Sequence, residues 1–156
     1  IILIGMPGSG KTTLARLLAK DLGRECLDCD EELLRRTGLT AEEFLIKQGE
    51  AAFRQTETEI LRDLGKRWGT VLSTGGGCVT RPENRSLLRQ NGRVLWLQRD
   101  PDKLALSGRP LLRSTTPRAL YEARKELYAD FCDQVVSNNA DPARGLAQIK
   151  EILKKT

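Results

Sequence analysis

Ile1-Ile2-Leu3-Ile4-Gly5-Met6-Pro7-Gly8-Ser9-Gly10-Lys11-Thr12-Thr13 decides how the rest of the chain is read. Four branched apolar residues in a row predict a strand buried on both faces of a parallel sheet. They run straight into Gly-x4-Gly-Lys-Thr, in which glycines let backbone N–H groups turn inward around an anion. An amphipathic helix is predicted from about Lys11, carrying Leu14, Ala15, Leu17 and Leu18. Its positive dipole end faces the same concavity. This loop takes the phosphates of a nucleoside triphosphate, with Gly8, Ser9, Gly10 and Thr13 around them. Lys11 reaches the β- and γ-phosphates and Thr12 offers its hydroxyl to Mg²⁺. A plain Gly-rich turn is the competing reading. The order of strand, motif and amphipathic helix decides against it.

The 156 residues suit one domain spanning 1–156. No apolar run approaches the roughly 20 residues of a membrane helix, and no secretory leader pattern is present. The chain opens on a strand, so a few residues are expected before Ile1. Net charge is +5, yet aromatics make up only 4% and no Lys/Arg block exists. Anionic small molecules are therefore expected as partners, and not nucleic acid or a membrane. With no His in the chain, any general base is a carboxylate or the substrate itself. Cys26 and Cys29 form a C-x2-C, but no second pair and no His complete a zinc set. Buried free thiols in a reducing cytoplasm are expected.

Glu25-Cys26-Leu27 reads as a second strand ending in Asp28-Cys29-Asp30, with Asp30 as N-cap of a helix through Arg36. In extended chain, Asp28 and Asp30 share one side. Thr40-Ala41-Glu42-Glu43 is a capping box opening a short helix that Gly49 ends. A longer helix runs from Glu50 to Lys66, with Phe53, Thr56, Ile60, Leu61 and Leu64 on one side. Taken alone, Arg54 reads as a solvated surface residue. Thr70–Thr74 is a buried strand ending in Gly75-Gly76-Gly77, where something approaches the backbone closely.

Pro82 opens a helix through Leu88, closed by Asn91-Gly92. Val94–Leu97 is the fourth strand, and Asp100-Pro101 starts a short helix. The stretch 108–117 carries Arg109 and exposed apolar residues without periodicity, the pattern of a mobile cover. Arg118–Cys132 is helical, with Leu120, Leu127, Tyr128 and Phe131 as core candidates. Val135-Val136 is a fifth strand, and Pro142 opens a last helix bearing Leu146, Ile149 and Leu153. Alternating strands and helices imply a parallel sheet with its ligands at the strands' carboxyl ends.

No Asn-Lys-x-Asp is present to read guanine. The strand at Val71 ends in Ser73-Thr74-Gly75 where a larger ATP-driven machine would carry an Asp. The chain resembles the shikimate kinases, within the nucleoside-monophosphate-kinase-like group. The resemblance rests on Gly5-Met6-x-Gly8-x-Gly10-Lys11-Thr12, Asp28-x-Asp30, Glu50-x-x-Phe53-Arg54-x-x-Glu57, Thr74-Gly75-Gly76-Gly77, Arg109-Pro110-Leu111-Leu112 and Arg124-x-x-Leu127-Tyr128. It implies a three-layer α/β P-loop fold, with five parallel strands in the order 2-3-1-4-5, substrate-binding helices at about 31–62 and a lid at about 108–117. It implies ATP + shikimate giving ADP + 3-phosphoshikimate, in a cytoplasmic monomer.

By the same resemblance, Arg54 and Arg124 hold the shikimate carboxylate, and Glu57 orients Arg54. Gly75, Gly76 and Gly77 line the acceptor, with Gly76 donating its N–H, and Asp30 accepts from the reacting hydroxyl. Asp28 holds Mg²⁺ through water. Lys11 and Arg109 supply positive charge at the γ-phosphoryl. One departure stands out. Shikimate kinases usually carry an Arg on the adenine face, and the interval Lys103-Leu104-Ala105-Leu106-Ser107-Gly108 has none. Pro142 is the candidate for the other wall of the adenine slot.

Overall fold

The structure, a computed structural model, describes residues 1–104 and 115–155. The first strand is short: β1 covers Ile2–Ile4, and α1 follows at Lys11–Leu22. β2 (Glu25–Asp28) leads into α2 (Cys29–Thr37), α3 (Ala41–Gln48) and α4 (Glu50–Leu64). β3 (Thr70–Ser73) is followed by a 3₁₀ turn at Cys78–Thr80 and by α5 (Glu83–Arg89). β4 (Val94–Gln98) precedes a 3₁₀ turn at Pro101–Lys103, and then come α6 (Pro117–Phe131), β5 (Gln134–Ser137) and α7 (Pro142–Lys154). All strand pairs are parallel and the sheet order is β2-β3-β1-β4-β5, as the resemblance implies.

The pleat of β1 shows how the layers form. Ile2 and Ile4 face a core shared with Leu33, Phe53, Ile60, Leu61 and Phe131 of α2, α4 and α6. Leu3 faces the opposite core, with Leu14, Ala15 and Leu18 of α1 and Ile149 of α7. Alternating side chains therefore bury both faces, and burying each Leu or Ile contributes roughly 1.5–3 kcal/mol.

Several local expectations change. The N-cap of α2 is Asp28, whose carboxylate accepts from the Asp30 and Glu31 N–H groups. Asp30 lies in the first helical turn, so the two carboxylates do not share one side of a strand. The last residue of the strand thus accepts from the N2 and N3 donors of the helix, which is the usual N-cap geometry. α4 stops at Leu64 and not Lys66, because Gly65 caps it through Leu61 O. A Cβ on Gly65 would lie 2.6 Å from Leu87 O. α6 starts at Pro117, capped by the Thr116 side chain. Leu127 is 38% exposed, since the apolar stripe of α6 passes through Arg124, Tyr128 and Phe131 instead. The Thr40–Glu43 capping box is present with both of its hydrogen bonds. All four thiols are free, with Cys29 and Cys78 buried but Cys26 and Cys132 only half-buried. No described helix is long and apolar enough to cross a membrane.

Candidate active site

A cavity of about 220 Å³ opens at the carboxyl ends of β1, β2 and β3. It is lined by Gly8, Gly10, Lys11, Thr12 and Thr13 of the phosphate loop and by Asp30, Thr74, Gly75 and Gly76 opposite. Three stretches distant in sequence thus meet in one crevice. Gly8 and Gly10 sit at φ +79° and +93°, where a side chain would be strained. Lys11 is buried and donates from Nζ to the Gly5 and Met6 carbonyls, at 2.9 and 2.8 Å. Its ammonium is thus already folded back over the loop.

Beside it lies a set of oxygens. Thr12 Oγ1 donates to Asp28 Oδ2 at 2.8 Å and lies 3.3 Å from Ser73 Oγ. Asp28 and Ser73 are cross-strand neighbours in the β2–β3 ladder. Asp28 therefore divides its work, with Oδ1 capping α2 and Oδ2 turned to Thr12. A hydroxyl-and-carboxylate set of this kind suits a hard cation such as Mg²⁺, which keeps water and takes few protein ligands. Among the described residues no three His, Cys, Asp or Glu cluster to hold a metal by themselves. From the sequence alone Ser73 reads only as the end of a strand. Its role follows from register, which a local motif does not show.

The acceptor side is built by α4, α6 and the triple glycine. Arg54 is 6% exposed, Glu57 4% and Arg124 5%. Arg54 is therefore no surface residue. It lies on the same side of α4 as Phe53, Glu57, Ile60, Leu61 and Leu64, which are also buried. Arg54 Nη1 donates to Glu57 Oε1 at 3.0 Å, with Glu50 3.6 Å from Nη2. Arg54 Nε and Nη2 and Arg124 Nη1 are buried without hydrogen-bond partners among the described residues. Orphaned guanidinium donors inside a protein are costly unless something accepts from them. Burial pushes the Glu57 carboxyl above its ordinary range, while the Arg54 charge and hydrogen bond pull it down. The charges of Asp30 and Arg124 also act on it, so all four groups form one electrostatic cluster.

Side chains are what approach the three glycines. A Cβ on Gly75 would lie 2.5 Å from Glu57 Oε2 and 4.0 Å from Asp30 Oδ1. One on Gly76 would meet Pro7 Cδ at 2.5 Å, and one on Gly77 would collide with the Arg54 guanidinium. Neither the Gly76 nor the Gly77 N–H donates to a group among the described residues. A small apolar recess bounded by Cys29, Asp30, Leu33, Phe53, Glu57 and Ile60 adjoins them.

On the nucleotide side, Asn138 Nδ2 donates to Ser9 O at 2.8 Å, tying the β5–α7 loop to the phosphate loop. No local pattern around Asn138 announces this. Pro142 follows at the first position of α7, exposed. Leu104 is buried in the core and so is no wall of an adenine slot, while Lys103 Nζ donates to Asn139 O at 3.3 Å. Arg109 and residues 105–114 lie outside the described residues.

Comparison with known proteins agrees with this geometry. The sequence model of the shikimate kinase family matches residues 7–155. A shikimate kinase of Acinetobacter baylyi is 45% identical over 158 residues, 95% of this chain and 87% of its own length. One from Burkholderia lata is 39% identical, over 96% of this chain and 86% of its own. Among solved structures, the shikimate kinase from Acinetobacter baumannii in complex with shikimate superposes with a TM-score of 0.90. It is 38% identical, covering 99% of this chain and 93% of that one. A family match over nearly the whole length, joined to five parallel strands in the order 2-3-1-4-5, assigns the chain to the shikimate kinases, the ATP-dependent kinases of the shikimate pathway.

Proposed function

We propose that this crevice moves the γ-phosphoryl group of ATP to the 3-hydroxyl of shikimate, giving ADP and 3-phosphoshikimate. The observation that carries the reading is the pair of buried guanidiniums, Arg54 and Arg124, with unused donors. A planar carboxylate fits such donors with forked, charge-assisted hydrogen bonds. The substrate ring lies over the recess beside Phe53 and Leu33, and the Gly76 N–H donates to it. This sets the hydroxyl beside Asp30, which lines both the recess and the phosphate cavity.

In the transfer, the hydroxyl oxygen bonds to the γ-phosphorus as the bond to the β,γ-bridging oxygen breaks. The hydroxyl proton passes to the Asp30 carboxylate. Positioning and charge neutralisation carry most of the acceleration. Lys11 leaves the Gly5 and Met6 carbonyls to meet the phosphates, and Gly8, Ser9, Gly10, Thr12 and Thr13 supply the cradle. Arg109 adds a second positive charge at the γ-phosphoryl. Thr12 and Asp28, the latter through water, suit Mg²⁺, which supplies further positive charge at the β- and γ-phosphates. Pro142 takes the adenine, at the start of the helix that follows the loop Asn138 fastens to Ser9. The domain spanning 1–156 works as a cytoplasmic monomer.

Phosphorus NMR of the product from ATP and shikimate tests this reading. A new phosphomonoester signal coupled to the proton on carbon 3 is expected. A phosphate on another ring carbon, or free phosphate alone, contradicts it.

A further inference from the structure

Tyr128 is fully buried, and the acceptor chemistry described above does not use it. Its ring stacks on Trp96 of β4, with centroids 5.5 Å apart. Its hydroxyl donates to Gly76 O at 2.5 Å. Arg124 stands one turn earlier on the same buried face of α6, and its positive charge acts on the phenol. Burial outweighs that pull and raises the phenol above its ordinary range, so the hydroxyl stays a donor.

The Gly76 carbonyl belongs to the peptide whose other end is the Gly77 N–H. Fixing that carbonyl fixes the peptide plane. On one side Gly76 is held against Pro7 of the phosphate loop, and Gly77 is held against the Arg54 guanidinium. One phenol thus holds a peptide that touches both Arg54 and the phosphate loop, one helical turn from the buried Arg124. Resting on the proposed shikimate site, we infer that Tyr128 is a positioning residue. Its hydroxyl sets the Gly76–Gly77 peptide and Arg124 in one register and aims both at the acceptor. The Gly77 N–H, which belongs to that peptide, has no acceptor among the described residues and is the donor so aimed.

Tyr128→Phe keeps the ring on Trp96 and removes only the hydroxyl. At saturating ATP it should raise the shikimate KM about five- to thirtyfold, the effect of one buried hydrogen bond. The ATP KM should stay within about twofold. Trp96→Phe is the structural control. It loosens the same packing, and is expected to lower the thermal midpoint without moving the shikimate KM. Replacing Tyr128 by 3-fluorotyrosine keeps shape and hydroxyl, so the shikimate KM should stay at or below the parent value. An unchanged shikimate KM in Tyr128→Phe, an equal rise in Trp96→Phe, or a rise with 3-fluorotyrosine overturns the inference. Arg124→Lys separates the two ideas. If it weakens shikimate while Tyr128→Phe does not, only the positioning role fails. If neither moves the shikimate KM, the carboxylate site itself is misplaced.

Discussion

Arg54 and Glu57 face each other at 3.0 Å inside α4, both buried, and the carboxylate occupies only one of the guanidinium's nitrogens. The pair is complete in charge and incomplete in hydrogen bonds. Such a pair contributes little net stability by itself, but it presents a rigid fork to an incoming anion. Arg54→Lys keeps the charge and loses the fork. It should weaken shikimate by about ten- to a hundredfold, on the order of one or two charge-assisted hydrogen bonds. ATP affinity should be unchanged. Isothermal titration with each ligand measures both, and a loss on the ATP side would place Arg54 elsewhere.

Gly77→Ala should act as a displaced Arg54. The added methyl falls on the guanidinium, and overpacking there costs on the order of 1–3 kcal/mol. The expected outcome is a shikimate KM raised at least about tenfold with ATP binding kept. Equal damage to both substrates would show a collapsed loop instead.

Glu57 gives a pH signature. Its carboxyl is raised in the folded protein from the ordinary 4.5, mainly by burial. The folded state then binds more protons than the unfolded one between those two values. The stability Glu57 contributes is full below about pH 4.5 and is lost as pH rises through the folded value. Denaturant titrations of parent and Glu57→Gln should show the parent's relative stability falling as pH rises above 4.5. A difference that rises with pH would mean that the Arg54 charge outweighs burial.

Asp28 and Asp30 should separate under Mg²⁺ titration. Asp28→Asn keeps an N-cap side chain for α2 but loses the charge facing Thr12, so the Mg²⁺ requirement should rise several-fold while the fold survives. Asp30→Asn loses the proton acceptor, and kcat should drop by about 10²–10⁴ with little change in Mg²⁺ dependence. Equal shifts in the two Mg²⁺ titrations would make both residues metal-side.

What could be read from the chain was local or periodic. The phosphate loop is a contiguous motif, and Ile2 to Ile4 announce a buried strand by composition alone. The capping box at Thr40 also needs only four residues. Arg54 was harder. Its apolar neighbours Phe53 and Ile60 marked the stripe, and the presence of Arg54 and Glu57 on that stripe was the available signal of a buried pair. Asp28 displaced Asp30 as cap because the strand ends at Asp28 and the helix begins two residues earlier than the Asp-x-Asp spacing suggests. Ser73, Asn138 and the Tyr128 hydroxyl act across the sheet, on Thr12, Ser9 and Gly76. Strand register and helix docking create those contacts, so no short window contains them.

The most direct test of the central claim is ADP release coupled to an optical readout, with shikimate, gluconate and a nucleoside monophosphate offered in turn with Mg-ATP. Lys11→Met serves as the blank, with turnover expected to fall at least about a hundredfold for loss of one preorganised charge contact. The account predicts saturable, shikimate-dependent ADP release, with the other two acceptors near that blank. Release as fast with gluconate or the nucleotide as with shikimate would contradict it.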